Sequence, residues 1–153
     1  MASLFDDDEG GGLLLSGGYD DAMHSDDLSN AVVVDCEMVE VEGRKSALAR
    51  VSLVAFDESV LYDSHVAPST RVVDYRTRWS GVRPADLEGA PAFSVVQGTV
   101  ARLVHGRVLI GHGIQNDLRA LQLAHPPACV LDTQLRSHNR WSCRSRTMAV
   151  AYT

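Results

Sequence analysis

Runs of valine and period-two alternation dominate the sequence just after residue 30. Residues 31–41 (AVVVDCEMVEV) predict a β-strand, Glu42 to Lys45 a turn, and residues 47–56 (ALARVSLVAF) a second strand. Asp57-Glu58-Ser59 closes a hairpin onto a third strand, Val60 to Val66. Three strands with short connections predict an antiparallel meander. Residues 67–91 carry Pro68, Pro84, Pro91 and Gly81 and are expected to form an extended loop rather than a regular element.

The period then changes. Phe93, Val96, Val100, Leu103 and Val104 recur at helical spacing, with Ser94 as the expected N-cap and Gly106 as the stop. A short buried strand is expected over Arg107 to Ile110, a second helix over residues 114–124 and another strand over Cys129 to Leu131. Strand–helix–strand order at that spacing implies parallel pairing. The fold class is therefore α/β: a mixed sheet in which a three-strand antiparallel meander leads into parallel strands, flanked by helices. The domain is expected to begin at Ala31 and end near residue 135. Residues 136–153 follow neither period and read as a disordered, basic tail.

Composition narrows the class without changing the fold. Apolar residues make up 45% of the 153 positions and charged residues 22%, an ordinary globular balance. No apolar run approaches the roughly 18–20 residues that a bilayer span needs. The first residues lack Lys and Arg, so a secretory signal is not expected. Cys36, Cys129 and Cys143 are too few and too scattered for a disulfide framework or a zinc ribbon. Net charge is −6 but unevenly spread. Eight of the twenty acids lie in residues 1–30, which hold no Lys or Arg and are rich in Gly and Ser. That stretch reads as a disordered acidic tail, and the remainder carries a small positive excess.

Two groups of residues carry candidate chemistry. Asp35 and Glu37, at positions i and i+2 of the first strand, project from one face, while Val32, Val34, Cys36 and Met38 occupy the other. Two adjacent carboxylates repel unless a cation lies between them, and hard Mg²⁺ or Mn²⁺ favours such oxygens. A strand emerging into solvent would carry acids equally well. Asp117 falls at the margin of the apolar stripe Ile114, Leu118, Leu121, where it needs a partner. It also fits as a first-turn acid favoured by the helix dipole. Asp132 is either a fourth acid near the site or a helix cap. The second group is RVVDYRTRWSGVR (residues 71–83), which sets Arg71, Arg76, Arg78 and Arg83 around Tyr75 and Trp79. Cations for phosphates and aromatic faces for bases suit single-stranded nucleic acid, although such side chains can equally pack on the domain.

Together VVVDCEMVEV, SALARVSLVAFDESVLYDSHVAP, VVDYRTRWSGVRPADLEGA, RVLIGHGIQNDLRAL and VLDT resemble the DEDDh 3′→5′ exonucleases of the RNA exonuclease 4 type, from about Val32 to Gln134. The resemblance implies a ribonuclease H-like fold and action on the 3′ ends of single-stranded RNA, with single-stranded DNA as a further substrate. Asp35, Glu37 and Asp117 match the acids that hold two divalent ions, Mg²⁺ or Mn²⁺, at the scissile phosphate in that family. By the same analogy Met38 lies near the terminal nucleotide and Arg76, with Arg78, contacts the strand. His112 belongs to the second motif but does not match the family's general base. The resemblance also suggests nuclear RNA processing.

One part of the family pattern is absent. The third motif, His-x-Ala-x-x-Asp, supplies the base and the fourth carboxylate, and nothing after Gln134 reproduces it; His138-Asn139-Arg140-Trp141 does not. The abrupt loss of patterning is read as an alternative reading frame or aberrant splicing. It leads to three expectations: no C-terminal helix, apolar sheet surface left exposed, and weak or no turnover. A non-catalytic nucleic-acid-binding fragment is the alternative reading.

Overall fold

The computed structural model describes residues 28–135 and 151–152. Residues 1–27, 136–150 and 153 lie outside the described residues, and with them most of the two tails, 1–30 and 136–153, read as disordered. The meander forms as expected, from β1 (Ala31–Val41), β2 (Lys45–Ala55) and β3 (Val60–His65). Further along the chain come β4 (Val72–Asp74), α1 (Thr77–Ser80), α2 (Phe93–Val104), β5 (Val108–Gly111), α3 (Gln115–Leu121), β6 (Leu123–Ala124), β7 (Val130–Asp132) and β8 (Ala151–Tyr152).

The main sheet runs β3-β2-β1-β5-β7, with β1 central. β1–β2 and β2–β3 are antiparallel, whereas β1–β5 and β5–β7 are parallel, so the mixed sheet inferred from element order is the one observed. β1 pairs along its whole length with β2 but with β5 only over Ala31 to Val33.

One face of β1 (Val32, Val34, Cys36) packs beneath α2 and α3 in the principal core, with Val96, Val100, Leu118 and Leu121. Leu53, Leu109, Ile114 and Leu121 are fully buried, each side chain stabilising the fold by about 1.5–3 kcal/mol. The other face carries Asp35 and Glu37 in its middle and Val39 and Val41 beyond them. Those two valines are covered by Val82, Tyr75 and Leu87 from the segment after β4. β2 reaches across through a bulge: Glu37 pairs with Arg50 but Met38 with Leu48, leaving Ala49 as the extra residue.

An apolar row crosses the sheet on the acidic face through the cross-strand partners Val60, Val54, Val33, Ile110 and Leu131. Val60 is 67% and Val33 39% exposed, so among the described residues this face is only partly covered.

Four local expectations need correction. The stretch 67–91 is not structureless. Val72 and Asp74 pair antiparallel with Val41 and Glu40, completing the edge of β1 that β5 is too short to reach. Short helical turns follow, tied by Thr77 Oγ1 donating to Val82 O (2.6 Å) and Ser80 Oγ donating to Tyr75 O (2.8 Å). Ser94 is not the cap of α2. Ala67 N–H donates to Pro91 O and Ala67 bridges Ala92, which holds Ala92 extended so that the helix starts at Phe93 with a backbone cap. The second helix stops at Leu121, because Gln122 turns left-handed (φ 51°) and frees Leu123 and Ala124 to pair with β8. Ala151–Tyr152 is thus a short strand rather than part of an unstructured end.

Candidate active site

Alternation along β1 sets Asp35 and Glu37 side by side, Cα atoms roughly 6.5–7 Å apart. Cys36, between them, points the other way and is a buried free thiol. Its backbone N–H donates to Asp117 Oδ1 at 3.0 Å. This single bond docks the first turn of α3 onto β1 and brings the third acid to the strand that carries the other two. Asp117 is buried (6% exposed): it lies in the first turn of α3 and is also a core-facing acid with a partner.

The turn leading into α3 has little room. Gly113 sits at φ 66°, and a Cβ there would come within 2.9 Å of Gln134 Oε1 and 3.3 Å of Asn116 Nδ2. Asp132 anchors the turn from β7: its Oδ1 accepts Gly113 N–H (2.8 Å) and Gln134 N–H (2.9 Å), and its Oδ2 accepts Ile114 N–H (3.2 Å). These bonds, from Gln134 and Gly113 foremost, hold its carboxyl below the usual carboxylate range. Asp132 therefore does the capping work that sequence offered as one of its two roles. His112 is exposed, with Nδ1 3.1 Å from Thr133 Oγ1.

Asp35 disfavours the charged forms of its two neighbours. Burial, then the Asp35 charge, pushes Asp117 up to about 6, against the hydrogen bonding from Cys36. Burial and then Asp35 raise Glu37 also, while Arg50 pulls it down. The Cys36 thiol is pushed up as well, by burial first and Asp117 second, so it is no nucleophile at neutral pH. Among the described residues none of the three acids is in an ion pair. No group of three or more His, Cys, Asp or Glu side chains among the described residues is placed to hold a metal ion. The donors are nonetheless the oxygen ligands that a hard divalent cation takes, and the Asp35 charge raises both Glu37 and Asp117, with Arg50 opposing it at Glu37.

Of the residues expected to touch nucleic acid, Met38 follows Glu37, half-buried against the core. Arg76 adopts φ 50°, and its guanidinium donates to Glu40 Oε2 (2.9 Å) and Ser46 Oγ (3.2 Å), which ties it to the β1–β2 hairpin. Arg78 lies 5.8 Å from the ring centre of Trp79, itself 77% exposed. The arginines have separate partners. Arg71 pairs with Glu42 at 2.7 Å, and the Arg83 backbone N–H donates to Asp86. Sequence reading missed Arg50 and Asp63, which the β1–β2–β3 register brings beside the acids. Their signal was an Arg opposite an acid in the hairpin, but it depends on a register known only once the bulge is located.

A mixed sheet whose central strand bears paired acids, met by an acid from a flanking helix, defines a ribonuclease H-like nuclease fold. The sequence model of the Exonuclease family matches residues 32–134. The chain is 57% identical over 106 residues to RNA exonuclease 4 of Mycosarcoma maydis, an alignment covering 68% of this chain and 28% of the relative. It is 48% identical over 109 residues to RNA exonuclease 4 of Xenopus tropicalis (70% and 26% covered). Among solved structures, the Neurospora crassa Pan2 catalytic unit superimposes with a TM-score of 0.63 at 26% identity, covering 69% of this chain and 19% of that one. The Saccharomyces cerevisiae Pan2 module in complex with AAUUAA RNA gives 0.60 at 27% identity (68% and 21%). The chain belongs to the Exonuclease family and is of the RNA exonuclease 4 type. It spans only 26–28% of the length of these two curated relatives. Among the described residues no helix is long and apolar enough to cross a membrane.

Proposed function

We propose that residues 31–135 form a metal-dependent nuclease domain that hydrolyses phosphodiester bonds of RNA from the 3′ end, with single-stranded DNA as a second substrate. The observation that carries this reading is the docking of the buried Asp117 carboxylate on the Cys36 amide, between Asp35 and Glu37. In this reading Asp35, Glu37 and Asp117 are the catalytic acids and hold a pair of Mg²⁺ or Mn²⁺ ions. Bound there, such ions would supply Lewis-acid stabilisation of the phosphate and an activated water.

The chain's own groups do the rest. The Cys36 amide orients Asp117, and Asp132 fixes the turn from which α3 starts. Met38 lies against the terminal nucleotide, and Arg76, held by Glu40 and Ser46, meets the strand's phosphates with Arg78 beside it. The relatives' names and the RNA held by the yeast Pan2 module support a nucleic-acid substrate. Nuclear RNA processing is the setting we propose.

Residues 135–153 hold no His-x-Ala-x-x-Asp, the motif to which the resemblance assigns the general base and the fourth carboxylate. A missing base forfeits about 10²–10⁴-fold in rate. We therefore expect weak or no turnover from this sequence. The same observation favours a second reading, a fragment that binds nucleic acid without cleaving it. Incubation of 5′-labelled single-stranded RNA with Mg²⁺ separates the two. Release of 3′ nucleotides that Asp35→Ala abolishes establishes the enzyme. Binding without release, unaffected by Asp117→Asn, establishes the fragment.

A further inference from the structure

Arg50 is the cation that the register sets directly opposite Glu37 on the acidic face of the sheet. Directly opposed side chains have Cβ atoms about 4.5–5.5 Å apart. Its guanidinium is not free to swing. Nε donates to Asp63 Oδ1 at 2.8 Å and one terminal nitrogen to Asp63 Oδ2 at 2.6 Å, a two-pronged grip on the neighbouring strand. Ser52, opposite Asp35, donates to the same Asp63 oxygen at 3.3 Å and steadies the acceptor. The second terminal nitrogen of Arg50 makes no hydrogen bond among the described residues, and the side chain is 41% exposed.

A fork held by one edge, with its other edge bare and next to two carboxylates, is a poor device for stability. An exposed pair of this kind contributes little to folding. It is a good device for presenting a fixed cation. Asp63 holds the fork in one place, and the N–H donors on its other edge remain directed.

We propose that Arg50 is a substrate-binding residue whose free guanidinium edge donates to a phosphate oxygen of the nucleic-acid strand lying along Asp35 and Glu37, and that Asp63 and Ser52 are positioning residues that aim it. This rests on the nuclease reading of those acids. It adds a contact on the β2–β3 side of the site, across β1 from Asp117.

The test is binding of a labelled single-stranded RNA oligonucleotide to the full chain in Ca²⁺, by fluorescence anisotropy over a range of salt. Arg50→Gln is expected to weaken binding roughly tenfold, as loss of a charged hydrogen bond should. It should also flatten the log–log salt slope by about 0.7–1. Arg50→Lys keeps the slope but not the full affinity. The double variant Arg50→Gln/Asp63→Asn removes both charges, leaves no unpaired acid and reproduces the flattened slope with an unchanged thermal midpoint. An unaltered slope in Arg50→Gln and in the double variant, with the parent binding RNA, overturns the assignment alone. A parent chain that binds no RNA overturns the nuclease reading with it.

Discussion

The Asp117 carboxylate and the Cys36 amide, 81 positions apart in sequence, meet at 3.0 Å. The bond fixes where α3 lands on β1, and it holds a carboxyl whose charged form burial and Asp35 disfavour. Because the folded-state pKa is raised from the ordinary 3.8 to about 6, Asp117 favours the folded state fully below pH ~4 and loses that contribution as pH rises through ~6. Asp117→Asn keeps an acceptor for Cys36 and removes the charge. In EDTA at pH 8 it is expected to be about 1–3 kcal/mol more stable than the parent. The gap should close toward pH 4. Urea titrations at the two pH values check this, and a gap that does not widen with pH contradicts it.

Divalent cations should relieve the same repulsion. At pH 7.5, Mn²⁺ or Mg²⁺ at about a hundred times its dissociation constant is expected to stabilise the chain by roughly 2.7 kcal/mol. Asp35→Asn and Glu37→Gln should each blunt the response. Thermal melts with and without cation read it, and an equal shift in all three proteins would mean that the ion binds elsewhere.

Gly113→Ala is expected to be destabilising by about 1–3 kcal/mol, since φ 66° disfavours a side chain and the new methyl would meet Gln134 Oε1. A denaturant midpoint unchanged from the parent would show that the turn can relax.

The cross-strand row through Val33 and Val60 should make the chain self-associate. Sedimentation velocity is expected to give concentration-dependent species for the parent. Val33→Thr/Val60→Lys should shift the distribution toward monomer with little loss of stability. Identical distributions would remove the row as the cause.

Much of this was legible from the sequence. Valine density marked residues 31–41 as a strand, alternation placed Asp35 and Glu37 on one face, and helical spacing put Asp117 at the stripe margin, where it proved buried. What escaped was either short or relational. Val72 to Asp74 is too brief to show a period and is a strand only because β5 leaves the far end of β1 unpaired. Arg50 became visible only with the bulge at Ala49, which sets what stands opposite Glu37. Ser94 had the right chemistry for a cap, but the Ala67 contact had already fixed the chain direction two residues earlier.

The alternation along β1 has an outcome for quality control. Shifting that strand by a single residue would drive Asp35 and Glu37 into the hydrocarbon interior and turn Val34 and Cys36 out to water. A misregistered chain therefore cannot be compact and armed at once. Any copy that hides Val32 and Val34 has, by the same geometry, already presented Asp35 and Glu37 together on the other face.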